Sequence, residues 1–213
     1  MIPIDFITEW REHAPWVTDD KVEQDLIINR AIVAIFGHDE LAASFAWRGG
    51  TALHMLYINP PSRYSEDIDL VQIKQEEIGN TIDLLRGVLD PWLGEPRRVS
   101  KEGAFTLLYR FQSTSPPDIP MRLKIEINTR EHFTEFGHVK QPFSVNSRWF
   151  QGEAAVTTFT VEELLGTKLR ALYQRRKGRD LFDLWLADEK LPFSSEKVIA
   201  CFLRYLREDS LSP

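Results

Sequence analysis

Apolar residues recur at helical spacing in two long stretches of the chain. Residues 21–36 place valine, leucine and isoleucine mostly three or four positions apart, which predicts a helix that ends at Gly37. We expect Asp19 or Asp20 to cap its first turn. Residues 75–93 have the same spacing and are also predicted to be helical.

The middle of the chain alternates between apolar and polar residues, as strands do. The segments with this pattern are residues 65–73, 103–113 and 121–130. A loop with prolines joins the last two, so we expect them to pair antiparallel. Residues 131–159 are predicted to be loops with one or two short strands. From Thr160 the pattern is helical again, with breaks near Gly178 and Pro192.

This order of elements predicts an α+β fold, in which a mixed β-sheet flanked by helices precedes a C-terminal helical region. We place the division between residues 1–159, which include an N-terminal helix, and residues 160–213. The 213-residue chain is 43% hydrophobic, enough for a core without disulfide staples. Its single cysteine, Cys201, excludes an intrachain disulfide framework and suits the cytoplasm. No apolar run approaches the roughly 20 residues of a membrane span, and we see no secretory signal.

Two carboxylates stand close together in the first strand-like segment. Asp67 and Asp69 are two positions apart, so a strand projects both from one face. Glu126 lies on the polar face of 121–130 and joins them if the two strands are neighbours in register. Converging carboxylates repel unless a cation lies between them, and an oxygen-only ligand set suits Mg²⁺ or Mn²⁺. The alternatives are a solvated sheet face and a Glu126 that pairs with a neighbouring cation of its own strand.

A pair of glycines precedes a short predicted helix that starts near Thr51. Gly49 and Gly50 allow a ligand to approach the backbone closely, and free N–H groups at a helix start attract phosphate. The alternative is a tight strand-to-helix turn in which Thr51 is the N-cap.

The C-terminal region adds a lysine where helical spacing expects an apolar residue. Lys168 falls on the inward face of the helix after Thr160, and it either points to the carboxylates or extends past the edge of the core. Asp180 follows Gly178 and could cap the next helix. His54, like the other histidines, has no zinc-like spacing and is interpreted as ordinary.

Two basic clusters stand out against a net charge of −6, which argues against a general nucleic-acid coat. The cluster at 175–179 lies beside the residues just described, which keeps a functional role open. The cluster of Arg97, Arg98 and Lys101 is interpreted as solvated surface charge.

Four segments in this order resemble a known family. The segments are GGTAL, RYSEDIDL, KIEIN and EELLGTKLRALYQRRKGRDLFDLW, which lie between residues 45 and 186. Together they resemble the AbiEii/AbiGii-type toxin family of nucleotidyltransferases, which is related to the mycobacterial MenT-type toxins and to the DNA polymerase β-like superfamily. The resemblance implies that the C-terminal helical region completes the active site.

The resemblance also implies roles for individual residues. It assigns the metal to Asp67, Asp69 and Glu126, and catalysis to these three with Lys168 and Asp180. It assigns nucleotide binding to Gly49, Gly50, Thr51, Arg63, Ser65, Lys168 and Arg179, and it matches Arg170 without a defined role.

The implied activity is nucleotide transfer from an NTP to an RNA acceptor such as a tRNA 3′ end, with release of pyrophosphate. The implied biological role is a toxin that a cognate antitoxin protein neutralises. Two alternatives stay open: modification of a small molecule or a protein, and a non-catalytic nucleotide-binding or interaction module.

Overall fold

The computed structural model describes residues 2–58, 60–114 and 117–211, and within them it contains seven strands and eight helices. The strands are β1 (Phe45–Arg48), β2 (Asp67–Gln72), β3 (Arg97–Lys101), β4 (Ala104–Gln112), β5 (Pro120–Asn128), β6 (His138–Asn146) and β7 (Gln151–Phe159). The helices are α1 (Ile4–Trp10), α2 (Asp19–Phe36), α3 (Asp39–Ser44), α4 (Gly49–Tyr57), α5 (Gly79–Leu93), α6 (Val161–Arg175), α7 (Gly178–Lys190) and α8 (Ser195–Leu211). The predicted α+β class is confirmed.

All seven strands form one mixed sheet in the order β3-β4-β5-β2-β1-β7-β6. β4 and β5 pair antiparallel, as predicted, and β2 pairs parallel with β5. The four-residue β1 lies near the middle, antiparallel to β2 and parallel to β7. The sheet therefore has two halves that only this short strand connects.

Residues 131–159, predicted to be loops with one or two short strands, do contain two strands, but each has nine residues and together they form the hairpin β6–β7. β6 is an edge strand, so its residues are mostly exposed or half-buried and its alternation is weak. Pro142 lies within it, which an edge strand tolerates because one side of its backbone needs no partner. β7 is polar at its start and buried only over its last four residues.

β3 was not predicted, since its five residues are polar and exposed apart from Val99. Antiparallel pairing with β4 defines this strand, and its own sequence carries no burial signal. The predicted helix over 75–93 is confirmed as α5, although it begins only at Gly79.

Two hydrophobic clusters hold the layers together. α2, with α1 and α5 beside it, covers one face of the sheet, where Trp47, Tyr109 and Ile125 are fully buried. A second cluster joins the first half of the chain to α6, α7 and α8 through residues such as Leu53 and Leu164. The division at residue 159 therefore stays a prediction. In the described ranges, no helix combines the length and apolar character that crossing a membrane requires.

Candidate active site

Strand register brings the predicted acids together at the centre of the sheet. Asp69 is the register partner of Glu126, and Asp67 is the partner of Lys124. These four side chains share a cavity of about 160 Å³, which is also lined by Gly49–Thr51, Arg63, Ser65, Lys168, Arg175 and Arg179. Every residue predicted from the sequence for metal or nucleotide binding thus lies around one cavity.

The Asp67–Asp69 pair carries uncompensated negative charge. Within the described ranges neither carboxylate accepts a hydrogen bond or forms an ion pair. Burial raises the pKa of Asp69, and the charges of Asp67 and Glu126 raise it further. Burial likewise raises the pKa of Asp67, although Lys124 acts in the opposite direction. The strand therefore holds two carboxylates in a place that disfavours their charge, which a bound cation would relieve.

Glu126 is less available than its two neighbours. Its carboxylate forms an ion pair with Lys124 on the same strand, which is the alternative that the sequence left open. No cluster of three or more His, Cys, Asp or Glu side chains in the described ranges is arranged so that it could hold a metal ion. The role of Glu126 as a third ligand stays a prediction, and the unpaired oxygen donors are those of Asp67 and Asp69.

The glycine pair makes room for the acids and for their neighbours. Gly49 begins α4 with φ +87°, a conformation that favours glycine, and a Cβ there would lie 2.2 Å from Oδ2 of Asp69. A Cβ on Gly50 would lie 1.7 Å from a guanidinium nitrogen of Arg63. The turn is thus built so that the backbone can approach side chains of the site closely.

Thr51 does not cap the helix, contrary to the alternative that the sequence left open. The N-cap position belongs to Arg48, which makes no side-chain capping bond. The Thr51 hydroxyl donates to the carbonyl oxygen of Asp67 over 2.8 Å and shares a hydrogen bond with the Ser65 hydroxyl. It therefore ties the glycine turn to the start of β2.

Lys168 is buried and lines the carboxylate cavity, but its ion-pair partners are not the carboxylates of β2 and β5 to which one of the two sequence interpretations directed it. Its Nζ lies 3.0 Å from Oδ2 of Asp183 and 3.3 Å from Oδ1 of Asp180, both on α7. These acids lie three residues apart on one face of α7 and are fully buried.

Asp183 is the centre of a network that sequence reasoning missed. Its Oδ1 accepts from Nε of Arg63 over 2.7 Å, and Oδ1 also lies 3.0 Å from Nε2 of His54, a residue interpreted as ordinary. Helical spacing could have revealed it, since a carboxylate one turn from Asp180 shares its inward face. The network joins α4, α6 and α7 to the loop before β2.

Asp180 is not a helix cap, because that position belongs to Lys177, which makes no capping bond. Its carboxylate instead accepts two hydrogen bonds from Arg175, at 2.7 and 2.8 Å. Arg175 and Arg179 of the basic cluster both line the carboxylate cavity, and Arg175 is already paired with Asp180.

The pKa values of the two acids on α7 are lowered, whereas those of Asp67 and Asp69 on β2 are raised. Burial alone would raise the pKa of Asp183, but hydrogen bonds from His54 and Arg63 lower it well below its usual range. Hydrogen bonds and charge from Arg175 and Lys168 likewise overcome burial and lower the pKa of Asp180.

A further ion-pair group lies behind the cavity. Glu131 binds Arg170 at 2.7 Å and also pairs with Arg48 at the end of β1. The two guanidinium groups outweigh burial and lower the pKa of Glu131 to about 2. Arg48, Arg170 and Asp69 also line an adjoining cavity of about 360 Å³, which opens between α6 and the β3–β4 turn.

Sequence comparison assigns the chain to a known protein family. The profile of the family described as "Nucleotidyl transferase AbiEii toxin, Type IV TA system" matches residues 30–212, which include every site residue named above. The chain belongs to the AbiEii family. It is therefore a nucleotidyltransferase of a toxin–antitoxin family, and the resemblance stated from the sequence is confirmed.

Solved structures share the fold of this AbiEii-family protein. MenT4, a nucleotidyltransferase toxin from Mycobacterium tuberculosis H37Rv, superposes with a TM-score of 0.69 at 15% identity, over 97% of this chain and 72% of that chain. A candidate nucleotidyltransferase from H. pylori gives a TM-score of 0.57 at 22% identity, over 81% of this chain and 70% of that chain. No curated protein matches the chain closely enough to count as a relative.

Proposed function

We propose that this AbiEii-family enzyme transfers a nucleotide from an NTP to an RNA acceptor, such as a tRNA 3′ end, in a metal-dependent reaction. In this proposal it is a cytoplasmic toxin that an antitoxin protein neutralises. The observation that carries the proposal is a single cavity with unpaired carboxylates on β2, a glycine turn at the start of α4, and a buried lysine from α6.

The residues present fit a divalent cation. Asp67 and Asp69 offer hard oxygen donors that have no partner within the described ranges, and burial and nearby carboxylates disfavour their charges. These are the ligands that Mg²⁺ or Mn²⁺ prefers beside a phosphate. When bound, the ion would supply positive charge that stabilises the triphosphate and the departing pyrophosphate.

In this proposal, residues of the chain bind the triphosphate, neutralise its charge and accept the proton of the acceptor hydroxyl. The backbone of Gly49 and Gly50 binds the triphosphate at the start of α4, and Lys168 and Arg179 neutralise its charge. The acceptor hydroxyl oxygen forms a bond to the α-phosphorus while the bond from that phosphorus to the bridging oxygen breaks, so pyrophosphate leaves. Glu126 takes the proton of the hydroxyl.

Label transfer tests this proposal directly. The protein is incubated with each radiolabelled NTP and Mg²⁺, once with total tRNA and once alone, and Asp67→Asn is compared with Asp188→Asn, an exposed aspartate of α7. We expect label on RNA with wild type and Asp188→Asn, and little with Asp67→Asn. Label only on protein or on small molecules would overturn the RNA acceptor, and equal transfer by Asp67→Asn would overturn the catalytic site.

Growth of an expressing strain tests the toxin role. Expression of wild type should arrest growth, and Asp67→Asn should not. Co-expression of the open reading frame next to the gene should restore growth if it encodes the antitoxin. Arrest by Asp67→Asn equal to that by wild type would show that toxicity does not depend on this site.

A further inference from the structure

The sheet face that carries the carboxylates continues for three strands beyond β2. Strand register places Asp67 in one row with Lys124 of β5, Leu108 of β4 and Arg97 of β3. Lys101 and Arg110 lie on the same face, since they are an even number of residues from these row members. The face thus runs from the active site to the edge of the sheet, about 14 Å away.

Cations without protein partners lie on this outer part of the face. Arg97, Lys101 and Arg110 are exposed, and in the part of the chain that the structure describes none of them forms an ion pair or side-chain hydrogen bond. Arg122 and Lys124, nearer the carboxylates, are paired with Glu66 and Glu126. In a protein with a net charge of −6, three unpaired cations on one face form a local positive surface.

A cavity of about 660 Å³ opens at the end of this face nearest the start of β2. Arg110 and Arg122 line it together with Tyr64 and the apolar Phe111 and Met121. Its volume is within the range of small-molecule sites, and Asp20 and Glu66 also line it.

Different elements lie on the two sides of β2. Gly49 follows β1 on one side, and Lys168 is on that side too, because α6 packs against α4. β5, β4 and β3 lie on the other side. In phosphoryl transfer the attacking and leaving oxygens are roughly in line, so the acceptor must approach from the side opposite the departing pyrophosphate.

We infer that the exposed face of β3 and β4 binds the sugar–phosphate backbone of the RNA acceptor and directs its end to Asp67 and Asp69. The inference rests on the proposed function and adds the surface on which the acceptor lies. It gives a ligand to Arg97 and Lys101, which the sequence analysis interpreted as solvated surface charge and which are exposed. Arg98, next in sequence, points to the opposite face, where its charge acts on the buried Tyr109.

This alternation supplies a matched control. Arg97→Glu/Lys101→Glu reverses two charges on the face, whereas Arg98→Glu/Lys140→Glu reverses two exposed charges elsewhere, with the same change in net charge. Fluorescence anisotropy with labelled total tRNA measures affinity across a salt series, and initial rates measure the KM for NTP. Thermal unfolding confirms that both variants are folded.

We expect Arg97→Glu/Lys101→Glu to weaken tRNA binding about tenfold or more at 0.1 M salt, and to reduce the salt slope by about two. Its KM for NTP should be unchanged, and the control should bind tRNA nearly as wild type does. Equal loss in both variants, no loss in either, or a raised KM for NTP with intact tRNA binding would overturn the inference.

Failure of the proposed function gives a different result. If wild type binds tRNA through this face but transfers no label to it from any NTP, the proposed reaction is wrong and the binding surface stands. If label reaches tRNA and both double variants bind it equally well, the reaction stands and the surface is wrong.

Discussion

Two pairs of aspartates lie near the cavity, and their surroundings shift their pKa values in opposite directions. Asp67 and Asp69 on β2 have no partner in the described ranges, and burial and like charge raise their pKa values. Asp180 and Asp183 on α7 are fully buried, yet arginine and lysine partners lower theirs.

The difference shows that burial alone does not decide the state of a carboxylate. The α7 pair is neutralised by the chain itself, so it joins helices and holds Lys168 in place. The β2 pair forms no ion pair within the described ranges, so its carboxylate oxygens are available to a bound cation. We therefore propose a positioning role for the first pair and a ligand-binding role for the second.

Removal of the charge at Asp183 tests the positioning role and should have the largest effect on stability. Asp183→Asn leaves Arg63 and Lys168 without their carboxylate, so the free energy of unfolding should fall by about 3–5 kcal/mol. Chemical denaturation measures this, with Asp188→Asn, exposed on the same helix, as the control. An Asp183→Asn protein as stable as the control would contradict the structural role of the network.

Removal of the charge at Asp69 should give the reverse pattern. Asp69→Asn relieves repulsion from Asp67, so the melting temperature should stay the same or rise, while the rate of nucleotide transfer falls about 10³-fold. Thermal unfolding and initial rates on one preparation measure both. If the variant loses stability as Asp183→Asn does, the two pairs do not differ in the way described.

Asp25 extends the comparison to an acid that, in the part of the chain that the structure describes, accepts hydrogen bonds but forms no ion pair. Trp10 and Trp16 donate to it, yet burial raises its pKa to about 6. The unfolded carboxyl ionises near pH 4, so the unfolding free energy should decrease as pH rises from about 4 to 6, by about 3 kcal/mol. Asp25→Asn should lack this part of the decrease, and urea denaturation across that range measures it. An unchanged pH profile would place the pKa of Asp25 near its ordinary value.

Gly49 tests how closely the unpaired acids are packed, and here we expect a smaller loss of stability than for Asp183→Asn. Gly49→Ala adds a methyl group 2.2 Å from Asp69 at φ +87°, which should cost about 1–2 kcal/mol and lower the transfer rate. Gly87→Ala, in α5 with no neighbour within 4 Å, is the control and should stabilise slightly. Equal stability and rate in both variants would show that the turn tolerates a side chain.

Sequence alone predicted the part of the site that depends on local alternation. The positions of Asp67, Asp69 and Glu126 on one face follow from strand period and from the pairing of β2 with β5. Lys168 was detectable because it interrupts an apolar stripe.

The parts that were missed depend on contacts between distant segments. Asp183 meets Arg63 across 120 positions, and no local pattern encodes that meeting. β3 and β6 owe their strand conformation to a hairpin partner rather than to an apolar face of their own. Strand register was also needed to show that Arg97 lies in the same row and on the same face as Asp67.

The distance of 120 positions between Arg63 and Asp183 also has a consequence during synthesis. β1 can pair with β7 only after residue 158 has left the ribosome, and Lys168 and Asp183 emerge later still. At ordinary translation speeds the delay after β2 is on the order of 10 s. Throughout that interval the nascent polypeptide carries the acids without the helices that complete the cavity, so the proposed activity begins only after α6 and α7 have been synthesised.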